Sequence, residues 1–398
     1  MSGAPDSRPK LRISTRAVHS GLNPAENSGA ITAPIFQSAT FVAADTAELM
    51  AINAGERRGY VYSRIRNPTV LAAEQRVAAL EEAQSCVLFS SGMAAIAGAI
   101  APFLKAGDDL VVLPDIYGGT AKYLRTILPA QGVNVIWAKG LDAADVAASV
   151  TPKTRVIYAE TPTNPLVRVV DLVALSEVAR GIGAKLIVDG TLGSPMNQRP
   201  LTLGADVVVH SATKYLNGHG DLLVGAVCGD RALTREIRNL QQASGAVIDA
   251  HSAWLLMRGM ATYALRMRQH NTSGQAIAEF LAGRPEVARV LYPGLPDHPD
   301  HALAHKQMSG FGGLVSFEMQ SAEAAQAVVD RTRLFGIGPS VGGVESLISQ
   351  PGNTSHFSVP PEQRHAMGIS DRLVRISVGI EDTEDLVADL EQALEAAR

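Results

Sequence analysis

The chain has 398 residues, 46% hydrophobic and 19% charged, which predicts two or three domains and excludes a disordered chain. Thirty-five Lys and Arg face 39 Asp and Glu, a formal charge of −4 without a cationic tail, which argues against nucleic acid and for a small-molecule or protein partner. Cys86 and Cys228 lie far apart in apolar runs, which argues against a disulfide framework or a zinc cluster and reads as two buried thiols.

The opening residues, MSGAPDSRPKLR, are polar and hold no apolar signal core. No run of about 18 apolar residues follows, so no membrane span is expected and the expected compartment is the cytoplasm. Residues 1–60 read as loop-rich. Pro24, Gly29 and Pro34 punctuate GLNPAENSGAITAPIFQSATF, a stretch expected to wrap over its own body or a neighbouring subunit. From about 69 to 255 short β-branched runs alternate with Ala- and Leu-rich helical windows. The expected strands are 86–89, 109–113, 134–138, 155–160, 185–189, 206–210 and 223–229. Between them, SGMAAIAGAIAPFL and DLVALSEVARGIG read as helices. Continuous apolar strands alternating with helices predict a mostly parallel seven-stranded α/β sheet covered on both faces. Beyond about 256, HNTSGQAIAEFLAG reads as an amphipathic helix start, with Asn271 or Thr272 as its cap. Residues 312–319 and 373–379 read as strands. EDTEDLVADLEQALEAA reads as a terminal helix, with Thr383 followed by acids that suit the helix dipole. The expected organisation is an arm over 1–63 touching a neighbouring subunit, a large domain over 64–255 and a smaller α+β domain over 256–398.

Chemistry gathers at the ends of the expected strands. Asp189 closes KLIVD, and the carboxyl edge of an open α/β sheet is where ligands bind. DVVVH runs into SATKY and brings Lys214 to the same edge. A lysine just past a buried strand calls for a partner or a covalent use. A site for pyridoxal phosphate (PLP) needs such a lysine for an imine and a carboxylate that keeps the pyridine nitrogen protonated. In FSSGMAAIAGAI a strand stops, Ser-Ser-Gly turns and a helix begins, which offers a phosphate seat where Gly92 lets the backbone come close. Ser211 and Thr213 flank Lys214 and could add hydroxyl donors. Tyr117, in DIYGGT, could lie on a pyridine ring and pass protons, although alone it reads as an ordinary core or surface tyrosine.

These motifs, in this order, resemble the PLP enzymes of Cys/Met metabolism, the cystathionine γ-synthase, cystathionine γ-lyase and methionine γ-lyase family. The resemblance runs from TRAVHSG (15–21) through YSRIRNPT (62–69), SSGMAA (90–95), DIYGGT (115–120), ETPTNP (160–165), HSATKYLNGHGD (210–221) and SVGGVESL (340–347) to VRISVGIED (374–382). It implies a fold-type I, aminotransferase-like PLP enzyme of transsulfuration, a homodimer with shared sites or a tetramer of two dimers. It implies that Lys214 forms the imine and Asp189 pairs with the pyridinium. Gly92, Met93, Ser211 and Thr213 would hold the phosphate. Tyr62 and Arg64 would reach the neighbouring subunit's phosphate. Tyr117 would stack on the ring and protonate the leaving group. Arg375 would clamp the substrate carboxylate, helped by Ser340 and Asn164.

The implied reaction is γ-elimination, through proton transfers by Lys214, on a γ-substituted L-amino acid such as methionine, an O-acylhomoserine or canavanine. The same residues serve γ-replacement. Departures from the family's pattern bear on that choice. Pro339 stands where cystathionine synthases and lyases carry Glu, and a proline cannot bind a distal ammonium. Gly119 stands where methionine γ-lyases carry cysteine. Gly190 and Leu192 replace Asn and an aromatic, and PGNTSHF (351–357) differs from the common loop. His298, His301 and His305 have metal-like spacing but read as a His-rich helix entry. His19, His210 and His219 read as loop supports. A nucleotide-dependent enzyme would need GxGxxG or GxxxxGK, and neither follows a strand. A catalytically inactive binding protein is opposed by the intact Lys214, Asp189, Tyr117 and Arg375.

Overall fold

Seven short runs rich in Val, Ile and Leu form one sheet in the computed structural model, which describes residues 11–354, 357, 359 and 361–397. They are β1 (Ser85–Phe89), β2 (Asp109–Val112), β3 (Asn134–Trp137), β4 (Thr154–Glu160), β5 (Lys185–Asp189), β6 (Val207–Ser211) and β7 (Gly225–Gly229), in the order β1-β7-β6-β5-β4-β2-β3. The pairs from β3 to β6 are parallel. β7 runs antiparallel to both its neighbours, so β1 points the same way as β6. The mostly parallel sheet is therefore as expected, with one reversed strand inserted. Cys86 and Cys228 are cross-strand partners on β1 and β7, both buried free thiols.

Side chains alternate across a strand, and the faces of β6 show the two layers. Val207 and Val209 pack with Ile96 and Ala99 of the Gly92–Ile100 helix and Leu124 of the Gly118–Ala130 helix. Val208 packs the other way, with Val77 and Leu80 of the Pro68–Glu81 helix and Met257 of the Ala250–Ala261 helix. Each fully buried Val or Leu contributes about 1.5–3 kcal/mol, so helices on both faces make the sheet a stiff platform for its edge.

A second sheet holds β8 (Val287–Leu291), β9 (Leu314–Met319), β10 (Gly336–Ile337), β11 (Leu347–Ser349) and β12 (Leu373–Ser377), in the order β10-β11-β12-β9-β8. Its core includes Phe317, Ile376, Val328 of the Ala322–Arg331 helix and Leu390 of the Thr383–Glu395 helix. Glu384 and Asp385 occupy the first turn of that last helix, as expected.

Three expectations need correction. The helix expected to start near 270 begins at Tyr263 and runs to Ala282, so Asn271 and Thr272 are interior and not caps. Asn271 instead exchanges amide hydrogen bonds with Asn197 and accepts from Gly312 N at 2.8 Å. Among its described residues the stretch expected to be loop-rich, 1–60, contains two α-helices, Ile13–His19 and Thr46–Asn53, and a 3-10 turn at Pro24–Asn27, and Arg16 ties the first to Ala79 O at 2.7 Å. His210 lies on β6, fully buried, with Nε2 2.6 Å from Glu81 Oε1, so it joins sheet to helix and supports no loop. Ser355 and His356 of the 351–357 loop, and residues 1–10 of the expected arm, lie outside the described residues.

Candidate active site

The carboxyl ends of β1, β2, β4, β5 and β6 share one edge of the large sheet, where a cavity of about 280 Å³ opens. Asp189 ends β5 and Glu160 ends β4, directly opposite in register, and both are buried. Burial pushes the Asp189 carboxyl up, while the Thr191 hydroxyl and amide draw it back down. Thr191 N donates to Asp189 Oδ1 at 2.9 Å, and the Thr191 hydroxyl accepts from Ser211 N at 2.8 Å. One threonine thus ties the ends of β5 and β6 together.

Past Ser211 the chain makes a single wide turn, Thr213–Asn217, and Lys214 departs from helical angles at φ −80° and ψ −132°. Its Nζ donates to Ser340 Oγ at 2.7 Å. Burial, and then the positive charge of Arg375, hold its ammonium below the usual lysine range. The structure therefore places Lys214 and Asp189 in one cavity, together with Gly92, Met93, Tyr117, Asn164, Ser211, Thr213 and Arg375.

Ser91 caps the Gly92–Ile100 helix, its Oγ accepting from Ala94 N at 3.1 Å. A Cβ on Gly92 would lie 2.9 Å from both Cβ and Oγ of Ser211, so only glycine lets this helix start sit so close to the end of β6. The Thr213 hydroxyl is engaged with Val224, accepting its N–H at 2.9 Å. Tyr117 precedes the Gly118–Ala130 helix, and its backbone N–H donates to Glu160 Oε2 at 2.6 Å.

Arg375 comes from β12 of the second sheet and is 2% exposed. Its guanidinium donates to Asn164 Oδ1 at 3.0 Å, Pro339 O at 3.0 Å and Ser349 Oγ at 3.3 Å, and Nε has no partner among the described residues. All three acceptors are neutral. Burial lowers its pKa to about 10. A buried cation with no counter-charge is a waiting seat for an anion.

Tyr62 and Arg64 are not brought to this cavity. Tyr62 bridges to Thr40, and Arg64 donates to Gln242 O at 2.7 Å and lies 5.7 Å from the Tyr62 ring. The His-rich segment packs locally. His298 Nδ1 accepts from Asp300 N at 3.1 Å, and the rings of His301 and His305 meet at 4.3 Å. Among the described residues no three His, Cys, Asp or Glu group as metal ligands, and no helix is long and apolar enough to cross a membrane. Sequence reasoning passed over Glu160 and Thr191. Glu160 had a usable signal, because it closes RVIYAE as Asp189 closes KLIVD.

Three kinds of comparison bear on this site. The family model for Cys/Met metabolism PLP-dependent enzymes matches residues 14–395. A cystathionine gamma-synthase of Mycobacterium tuberculosis (strain ATCC 25618 / H37Rv) is 45% identical over 96% of this chain and 96% of its own. An L-methionine gamma-lyase of Pseudomonas putida is 43% identical over 97% of this chain and 98% of its own. The crystal structure of a cystathionine gamma-lyase from Lactobacillus plantarum, complexed with L-serine, superposes with a TM-score of 0.92 at 38% identity, over 97% of this chain and 99% of that one.

Proposed function

This chain belongs to the Cys/Met-metabolism PLP-dependent enzymes, and from that premise we propose that it catalyses γ-elimination on a γ-substituted L-amino acid such as methionine, an O-acylhomoserine or canavanine. Its cofactor is pyridoxal 5′-phosphate, which when bound supplies an electron sink for negative charge at the substrate's α-carbon. The donor set suits that group. Lys214 would be the amine that takes it up, Asp189 would pair with its pyridine nitrogen and Tyr117 would cover its ring, since all three line the one cavity. Ser211, Thr213 and the first-turn amides of Gly92 and Met93 would seat its phosphate. The close approach that Gly92 permits supports this seat.

The observation that carries the substrate class is Arg375, a buried guanidinium with only neutral acceptors, in the same cavity as the Lys214 amine. Arg375 holds the substrate carboxylate in its planar fork, and Asn164 orients that fork. Lys214 Nζ would take the proton from Cα, the ammonium so formed donating to Ser340 Oγ, and would take a proton from Cβ only after giving up the first. The Tyr117 hydroxyl gives its proton to the departing γ-group. Pro339, Val341, Leu192 and Leu223 line the cavity with apolar surface. That wall favours a γ-group without a second amino-acid head, and so elimination on a substrate other than cystathionine.

The γ-replacement reading draws on the cystathionine gamma-synthase relative. Turnover of methionine, cystathionine, O-acetylhomoserine, O-succinylhomoserine and canavanine, each with and without an added thiol, separates the two. Release of 2-oxobutanoate from a non-cystathionine substrate is expected. Highest turnover on cystathionine, or a thioether as main product when thiol is present, overturns the elimination reading. The purified protein should be yellow and bleach with borohydride, and Lys214→Ala should be colourless. A wild type that takes up no PLP defeats the assignment as an enzyme. For assembly we propose a homodimer with shared sites, paired into a tetramer, in which Tyr62 and Arg64 of each chain complete the other chain's phosphate seat.

A further inference from the structure

Glu160 is buried at 4% exposure, lines the active-site cavity and sits beside Asp189 on the neighbouring strand. A second carboxyl beside the one that must face a pyridinium calls for an explanation. The hydrogen bonds supply one. Glu160 Oε2 accepts the backbone N–H of Tyr117 at 2.6 Å, the junction between β2 and the Gly118–Ala130 helix. The backbone N–H of Asn164 also faces this carboxyl. Asn164 in turn orients Arg375 through its Oδ1 at 3.0 Å. One side chain therefore touches the backbone of the ring-facing tyrosine and the backbone of the residue that aims the carboxylate clamp.

The Tyr117 ring is half exposed, so the backbone that carries it matters for its placement. Tyr117 is 42% exposed, and its ring leans over Gly119, where a Cβ would stand 2.5 Å from Tyr117 Cε1 and 3.1 Å from Met93 Sδ. The side chain occupies space left open by a glycine, and the backbone that carries it is held by Glu160 at its N–H and by Ala121 N, which donates to its carbonyl at 2.9 Å.

We propose that Glu160 is a positioning residue that sets Tyr117 against the cofactor ring and, through Asn164, sets Arg375 against the substrate carboxylate. Glu160 needs only to accept hydrogen bonds for this role, and a protonated carboxyl keeps acceptor capacity. Burial and the neighbouring Asp189 charge push its carboxyl well up, which suits a neutral acceptor beside an ionised Asp189. The inference rests on the PLP reading and adds to it a coupling between ring wall and clamp.

The test compares PLP-loaded wild type with Glu160→Gln, Glu160→Asp and Glu160→Ala. Glutamine keeps an acceptor oxygen at the same reach, and its kcat/KM should stay within about threefold of wild type. Aspartate withdraws the acceptor and alanine deletes it, and both should lose roughly ten- to a hundredfold in kcat/KM, as misplacement of about 1 Å does. Two readouts do not depend on turnover. The Kd for PLP, from titrating apoprotein and following Trp fluorescence, should rise about three- to tenfold in Glu160→Ala, in line with a lost ring contact of order 1 kcal/mol. Amide hydrogen exchange over 115–124 should speed up about tenfold or more. In a Tyr117→Ala background the loss from Glu160→Ala should shrink to the part carried through Asn164, a clear departure from additivity.

Full additivity with Tyr117→Ala overturns the proposal. So does Glu160→Ala or Glu160→Asp with wild-type kcat/KM and exchange, and so does Glu160→Gln as impaired as Glu160→Ala. If the alanine variant does not fold, the aspartate variant carries the same comparison. Wild type that binds no PLP refutes the functional reading itself. Wild type that binds PLP and turns over, with every Glu160 variant matching it, refutes only the role of Glu160.

Discussion

At the scale of single residues, the site is built from charges that folding alone does not reward. Arg375 is buried without a carboxylate partner among the described residues, so its removal should relieve the fold while harming binding. Arg375→Met should raise KM about a hundredfold or more, the loss of a charge-assisted pair, and leave the melting temperature equal or higher. Steady-state kinetics and thermal unfolding check the two halves. Asp115 makes a parallel case. It is buried, neither oxygen has a hydrogen-bond partner among the described residues, and burial raises its pKa to about 6 despite nearby Thr163 and Arg168. The native state then holds a proton that the unfolded chain releases from about pH 4 upward. Stability from this group is full below pH 4 and is lost as pH rises towards 6. Asp115→Asn should therefore be more stable than wild type above pH 6, by about 2–3 kcal/mol, with the advantage vanishing near pH 4. Urea unfolding at both pH values measures it. Lys214 and Asp189 were legible in the sequence because each follows an apolar strand. Glu160 obeys the same rule and was passed over, because no partner for it can be named until β2 and β4 lie side by side.

At the scale of elements, strand ends in the large sheet were legible to within one or two residues. Those strands are buried on both faces, and such burial writes a continuous apolar run. β8, β10 and β11 were not foreseen. β8 is an edge strand with only Leu291 buried, and β10 and β11 have two and three residues. Such strands exist because neighbours pair with them, and pairing leaves little mark on composition. The helix from Tyr263 was misplaced for a related reason. Asn271 looks like a cap in sequence but serves Asn197 and Gly312 across the fold. The turn before β10 hangs on Asp389 of the last helix, whose carboxylate accepts from Arg333 N at 2.9 Å, Leu334 N at 2.8 Å and Phe335 N at 3.4 Å. This turn leads to Pro339 and Ser340 at the site. Asp389→Ala should destabilise the fold by about 2–4 kcal/mol, through unpartnered backbone groups, and should raise KM as that segment loosens. Denaturant unfolding and steady-state kinetics test both.

At the scale of the whole molecule, Tyr62 and Arg64 lie away from the cavity of their own chain. If they complete the neighbour's site, two dead variants can rescue one another. Arg64→Ala and Lys214→Ala homomers should each be inactive, and co-expression should give hybrid dimers with one intact site each. Random assembly of a two-fold dimer predicts roughly a quarter of wild-type activity. No recovery in purified hybrids would place each site within one chain. The sequence by itself determined the family and the parallel strands, and set Lys214 and Asp189 at strand ends, because local patterns of burial and turn chemistry are written in consecutive residues. Only the tertiary structure decided that Arg375 has no carboxylate partner among the described residues, that Glu160 holds the backbone of Tyr117, and that Pro339, Val341, Leu192 and Leu223 line the cavity with them. Those facts are relations between residues as many as 211 positions apart, as Asn164 and Arg375 are, and such distances close only when the two sheets pack.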